Sequence, residues 1–410
     1  MKTTLFSLVV ASVAFAQPVP WLTQTTPIPS MGAGDPAFVA TPDTRLIVGT
    51  DTRQVGVFAY ATDGGLAQIV ALGLVNSADA RGSFVVVSAA NDSLSFFQAS
   101  DAGLTLLEPN PLAVSSPGHV ALARLPNGTY ELWVDTRNLS LQHYSVSRVV
   151  DGGVTATLLG SLDVPEIPSG LAIDDRSGRL FIGQPQLGVI AVDRAGTSTF
   201  VISIDAGQLG NSVGGLDLYL TADGGTYLFT AAEQEGEIKV HSIAGSVGTF
   251  KAALQIGTGG ANAQVLAPLY VAVFDQPLLP EFPKGVLVVQ DGLVGNYKLV
   301  SLAAVDAVVP LPPAFIRGTS VSSDGGAAGD GGAPGDGGVV DGGVSDAGVS
   351  DGGLGDGGFT DGGGGAGGGS GRGGPGGSAE PVPMTCGCTG GPFTLLPALL
   401  LLWWIRRLRS

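Results

Sequence analysis

Between residues 41 and 305 one short pattern recurs six times: a β-rich strand, a polar stretch containing Gly, Asp or Asn, and a second strand of alternating apolar residues. The copies are Arg45-Leu-Ile-Val with Val57-Phe-Ala-Tyr, Phe84-Val-Val-Val with Leu94-Ser-Phe-Phe, Glu131-Leu-Trp-Val with Leu141-Gln-His-Tyr, Arg179-Leu-Phe-Ile with Val189-Ile-Ala-Val, Thr226-Tyr-Leu-Phe with Ile238-Lys-Val-His, and Gly285-Val-Leu-Val-Val with Tyr297-Lys-Leu-Val. They start about 40 to 60 residues apart, the length of a four-stranded blade, and no stretch keeps a helical period. One such sheet cannot cover both of its apolar faces, whereas sheets stacked radially cover each other and leave only short edges open. The expected fold is all-β, a six-bladed β-propeller. Asp63-Gly64-Gly65, Asn127-Gly128 and Asp223-Gly224-Gly225 fall where tight turns belong, since Gly and Asn accept positive φ at little cost. A β-sandwich needs fewer strands than are present, and a β-helix needs a shorter period.

The two ends of the chain do not share this pattern. Met1-Lys2 followed by an apolar run to Phe15 and the small-x-small site Ala14-Phe15-Ala16 reads as a secretory signal peptide over residues 1–16, with the mature chain starting at Gln17. The propeller is expected over 17–317. Residues 318–383 form a low-complexity linker in which Asp-Gly-Gly repeats from Asp324 to Asp361; Gly raises chain entropy and like-charged Asp residues repel, so a disordered tether is expected. Residues 384–410 carry Cys386-Gly-Cys388, a short apolar run expected to be helical, and a terminal Arg406-Arg407-Leu408-Arg409 cluster that acts as a stop signal. Order and spacing in this tail resemble the myxobacterial C-terminal sorting signal. The resemblance implies processing at Cys386 and Cys388, C-terminal membrane attachment, and display on the outer surface or outer membrane of a Gram-negative cell. An uncleaved anchor would give the same topology.

The formal charge of -16 includes eight Asp residues of the linker, so it describes the tether as much as the folded surface. With no basic cluster interleaved with aromatics, nucleic acid is excluded as a partner. Both cysteines of the chain lie in the tail, so no disulfide staples the exported domain. His119, His143 and His241 fall in different repeats without ligand-type spacing, and no nucleophile elbow or phosphate loop occurs.

Several segments, in order, are similar to the secreted β-propeller phytases: Gly34-Asp-Pro-Ala-Phe, Gly56-Val-Phe-Ala-Tyr with Asp63-Gly64, Val75-Asn-Ser-Ala-Asp-Ala-Arg, Ser169-Gly-Leu-Ala-Ile-Asp-Asp, Gly214-Gly-Leu-Asp-Leu-Tyr, and Phe282-Pro-Lys-Gly-Val-Leu-Val-Val-Gln-Asp-Gly with Asn296-Tyr-Lys-Leu-Val. The resemblance implies a calcium-dependent phosphomonoesterase acting on myo-inositol hexakisphosphate, with carboxylates holding hard cations and Lys or Arg holding phosphate oxygens. Carried over residue by residue, it nominates Asp35, Asn76 and Asp79 as calcium ligands and Arg53, Arg81, Arg137 and Lys298 as phosphate-binding cations. Other positions depart from the family pattern. Ser169, Gln184-Pro185, Gly214 and residues 264–269 stand where the family carries acidic ligands, Asp92 where it carries an Arg, and His119 where it carries a Tyr. Calcium affinity falls with ligand charge count. Two functions follow: a non-catalytic, monomeric surface propeller binding a phosphorylated small molecule or a cell-surface partner, which the replaced ligands favour, or an active calcium-dependent phytase or related phosphomonoesterase. For each nominated cation the plain alternative is a rim charge, and for Asp35 it is a turn cap.

Overall fold

A computed structural model describes residues 16–316 except 42, 108–110, 149–152, 205–208, 211 and 279. The signal peptide, the Gly/Asp-rich tether and the Cys386/Cys388 tail lie outside the described residues.

Two short strands, β1 (Gln17–Val19) and β2 (Thr23–Gln24), precede the first complete sheet. Blade I is β3 (Ala37–Ala40), β4 (Arg45–Thr50), β5 (Gly56–Ala61) and β6 (Leu66–Ala71). Blade II is β7 (Val75–Arg81), β8 (Phe84–Ala89), β9 (Ser93–Ser100) and β10 (Gly103–Leu106), with β11 (Leu112–Ala113) added beside β9. Blade III is β12 (Val120–Arg124) to β15 (Val154–Asp163), by way of β13 (Tyr130–Asp135) and β14 (Ser140–Arg148). Blade IV is β16 (Gly170–Asp174), β17 (Arg179–Gln184), β18 (Gly188–Val192) and β19 (Ser198–Ser203). Blade V is β20 (Leu216–Leu220), β21 (Thr226–Ala232), β22 (Glu237–Ala244) and β23 (Val247–Ile256). Blade VI has only three strands of its own, β24 (Pro268–Phe274), β25 (Val286–Asp291) and β26 (Asn296–Ser301), and β2 pairs with β26 to supply the fourth. The N-terminal chain thereby closes the ring, and β1 adds in parallel to the outer edge of blade V.

Each of the six repeats read in the sequence is the hairpin of the second and third strands of a blade. These strands are covered on both sides by neighbouring blades, so they read as almost continuous β-branched and aromatic runs; β8 and β25 are buried at every residue. The outer strands β6 and β15 are largely exposed and much weaker as signals. Six apolar cores lie one between each pair of adjacent blades, including one that joins Val286, Val288 and Leu299 of blade VI to Ile47, Phe58 and Tyr60 of blade I. The buried Tyr297 stitches that last junction: its hydroxyl donates to Gly34 O at 3.1 Å and accepts from Thr50 N at 3.1 Å. Gly49 is required there, since a Cβ would lie 2.5 Å from the Tyr297 ring. In blades I, III, IV and V a register shift interrupts the pairing of third and fourth strands, increasing the twist that lets the sheets fan out.

Antiparallel order sends successive connections to alternate ends of the ring. One end, the entry face, gathers the segments leading into each first strand and the turns between second and third strands. The other, the hairpin face, gathers the turns between first and second strands. After β26 a five-residue helix, α1 (Leu302–Asp306), is capped by Ser301, and the chain then crosses the hairpin face of blade V, where Ala222 N donates to Pro313 O and Phe315 N to Leu220 O, both at 2.8 Å. Among the described residues no helix is long and apolar enough to cross a membrane.

Candidate functional site

At the entry face the turns of blades I and III are built alike. Asp51 follows β4 and its carboxylate accepts from the backbone N–H groups of Arg53, Gln54 and Val55. Asp135 ends β13 and accepts from Arg137 N at 2.7 Å. In blade VI Asp291 does the same for Leu293 and Val294. A carboxylate at the end of the second strand therefore folds the turn behind it, the ordinary Asx-turn role. In blades I and III this turn presents an exposed Arg. The tripeptide Asp-Thr-Arg at 51–53 and again at 135–137 is the sequence signal for this shared geometry, and it is visible only once the two copies are aligned.

Arg137 holds a left-handed backbone, φ 54°, which a non-Gly residue keeps only where the surroundings fix it. Its Nη2 donates to Asn76 Oδ1 at 2.9 Å, and Asn76 Nδ2 donates to Pro117 O at 2.7 Å. Asn76, Ser116, Pro117, Arg137 and Asn138 border a cleft of about 240 Å³ between blades II and III. Two of the nominated residues, 61 positions apart, thus meet at one small concavity.

Nearer the ring axis a second group converges. Asp35 enters blade I, Ser77 lies in β7, His119 immediately precedes β12 and Tyr270 lies in β24. Ser77 Oγ donates to Asp35 Oδ2 at 2.9 Å, and His119 Nδ1 lies 3.5 Å from the same oxygen. The His119 and Tyr270 rings are 5.6 Å apart, and the Tyr270 phenol is pushed up to about 12 by burial and by the charges of Asp35 and Glu233, against Arg137. Asp135 is fully buried. Burial raises its carboxyl, against the Arg137 N–H and the charges of His119 and Arg137. Asp135 Oδ2 and His119 Nδ1 are buried with no hydrogen-bond partner among the described residues.

The other nominated residues lie elsewhere. Asp79 and Arg81 are further along β7, and at about 3.3 Å per residue Arg81 is some 16 Å from Asn76 towards the hairpin face. Asp79 Oδ2 accepts from Leu122 N of blade III at 2.7 Å, and Oδ1 accepts from Ala80 N and from Arg81 Nη1 at 2.8 Å. Arg81 Nε crosses to Asp175 of blade IV at 3.1 Å. Burial opposes the Arg81 charge, but Asp175, Asp79 and Asp217 outweigh it and hold the guanidinium above its ordinary value; burial also raises the Asp79 carboxyl against Arg81. Asp217 of blade V repeats the Asp79 arrangement, accepting from its following residue, Leu218 N, and from Val273 N of the next blade at 2.6 Å. These carboxylates fasten neighbouring first strands together. Arg53 donates to Ser30 O at 3.3 Å on the exposed rim. Lys298 is 3 % exposed in the seam between β26 and the N-terminal chain, bonded to Gln24 Oε1, 3.6 Å from Asp291 and 5.1 Å over the Trp21 ring.

The nominated calcium ligands do not fit a calcium centre. Calcium takes six to eight oxygen ligands, yet both Asp79 oxygens are taken up by backbone N–H groups and Arg81, and the Asn76 oxygen faces Arg137. Asp35 Oδ2 is held by Ser77 beside His119. Among the described residues no three His, Cys, Asp or Glu side chains are grouped as a metal site requires. Gln184 is fully buried with neither amide atom partnered among the described residues. Sequence reasoning passed over Ser77, Asp135 and Tyr270, and read His119 only as a replaced Tyr.

The family model described as Phytase matches residues 121–301, from β12 of blade III to the end of β26. No curated protein matches the chain. Among solved structures, a chain from "Crystal Structure of Mitotic Checkpoint Complex" is 13 % identical over 73 % of this chain and 99 % of that one, with a TM-score of 0.42. A chain from "Crystal structure of BBS1N in complex with ARL6DN, soaked with mercury" is 12 % identical over 62 % of this chain and 73 % of that one, with a TM-score of 0.39.

Proposed function

We propose that the protein is an exported, surface-displayed, phytase-like β-propeller whose entry face binds a phosphate group of a phosphorylated small molecule without calcium-dependent hydrolysis. The observation that carries this reading is the convergence of Arg137 and Asn76 at 2.9 Å in the cleft between blades II and III. A guanidinium with exposed N–H groups and an amide at one concavity suit a phosphate oxyanion. Arg53, on the equivalent turn of blade I, supplies a second exposed cation on the same face. Against calcium-assisted chemistry stands the nominated set itself: both Asp79 oxygens already accept from protein donors and the Asn76 oxygen accepts from Arg137. The signal peptide and tail support export and anchoring, and the described chain leaves the propeller at residue 316 on the opposite face, away from the cleft. A ring closed by its own N-terminal strand supports a monomer.

A second reading, a calcium-dependent phytase or related phosphomonoesterase, is favoured by the family match over residues 121–301. Phosphate release from myo-inositol hexakisphosphate by the full chain, in excess calcium and again with a chelator, separates the two. Binding without release in both conditions is expected; calcium-dependent release that falls in Arg137→Ala would establish the enzyme instead.

A further inference from the structure

A second cavity, of about 1460 Å³, is lined by residues of the channel and of the hairpin face. The Arg81 guanidinium, which reaches from blade II to Asp175 of blade IV, is part of its lining. The two sides of its mouth differ in chemistry. On the side of blades VI and I the lining carries Phe38 and Phe274, with ring centroids 5.0 Å apart, and Leu278, with Arg45 on the same side. Phe315, carried on the C-terminal strap, also lines the cavity, with the Arg176 guanidinium 5.6 Å over its ring. On the side of blade III stand Arg124, at the end of β12, and Asn127, in the following turn.

The carboxylates at the hairpin end of this cavity are engaged. Both oxygens of Asp79 and both oxygens of Asp217 accept from backbone N–H groups or Arg81, and Asp175 accepts from Arg81. Arg176 is taken up by Asp174, Thr221 O and Thr226. The half-buried Arg124 guanidinium, by contrast, has no hydrogen bond or ion pair among the described residues, and the Asn127 amide nitrogen is likewise without one. A cavity with an apolar wall facing unpartnered donors is complementary to a molecule with an apolar body and one anionic end.

We propose that this cavity is a second ligand site, separate from the entry-face cleft, that takes a monomeric anionic amphiphile: an apolar body against Phe38, Phe274 and Phe315 and a carboxylate or phosphate head on Arg124. The site shares no residue with the Arg137 cleft, so it stands whether or not that cleft binds phosphate.

Calorimetric titration of the full chain with monomeric dodecanoate, dodecyl phosphate, dodecanol and dodecyltrimethylammonium tests it. One saturable site for an anionic amphiphile is expected, weakened about tenfold in Arg124→Gln and largely retained in Arg124→Lys, with excess myo-inositol hexakisphosphate failing to displace it. Preference for dodecanoate or for dodecyl phosphate identifies the head group. Equal or tighter binding of the cationic amphiphile would overturn the assignment. So would affinity unchanged in a folded Arg124→Gln protein, since an amphiphile held elsewhere on the chain would ignore that residue.

Discussion

The two ends of the central channel use the same residue type in opposite ways. At the entry face the Asp135 carboxylate folds the turn of its own blade through Arg137 N and lies beside His119. Further down the channel Asp79 and Asp217 have both oxygens bonded, each fastening its own first strand to the next. A carboxylate in a propeller channel thus either folds its own turn or fastens its neighbour, and its hydrogen-bond partners, not its position in a motif, tell which. Buried polar groups that are fully satisfied hold a fold together.

The sharpest way to break the comparison is to remove a fastening. Asp79→Ala deprives Leu122 N of its acceptor and leaves the Arg81 guanidinium buried with Asp175 as its remaining direct carboxylate partner. A loss of about 3–5 kcal/mol in urea unfolding is expected. Asp217→Ala should cost less, about 1–3 kcal/mol, because it strands backbone donors rather than a directly paired charge. If either proved neutral, the carboxylates would not be fastenings.

An orphaned group far from any cleft gives the contrasting case. His241 in β22 is fully buried against Phe250 with both ring nitrogens unpartnered among the described residues, and burial, then Lys239, lower it to about 4. Because the folded value lies below the ordinary one near 6.5, the unfolded chain takes up the proton first. Stability should therefore fall as the pH drops from about 6.5 to about 4, by about 3 kcal/mol, and level off below. His241→Leu should remove that slope, measured as denaturation midpoint against pH.

Asp135→Asn, at the entry face, is expected to leave stability within about 1 kcal/mol or raise it at neutral pH, since it removes a charge that burial disfavours and keeps a capping oxygen for Arg137 N. A loss as large as that of Asp79→Ala would erase the distinction between the two ends. Smallest of all, Arg137→Ala should change the melting temperature little, because its guanidinium bond to Asn76 is exposed.

Much of this fold was legible because the second and third strands of most blades are buried along nearly their whole length and so carry long apolar runs. The first strands were harder to read: Val120-Ala-Leu-Ala and Gly170-Leu-Ala-Ile are short and rich in small residues where strands crowd the axis. The closing strands, Gln17–Val19 and Thr23–Gln24, are too brief to carry a period at all. For the site, the family resemblance nominated Asp35, Asn76 and Arg137, which do gather at the entry face. It could not separate them from Lys298, because residue type does not reveal that this ammonium faces a Gln and a Trp of the N-terminal segment. Nor could it reveal Asp135 and His119 as neighbours at the entry face.

The most direct test is calorimetric titration of myo-inositol hexakisphosphate into the full chain in the presence of a calcium chelator. The account predicts saturable binding that Arg137→Ala weakens about tenfold and that added calcium does not strengthen. Binding that appears only when calcium is restored would contradict it.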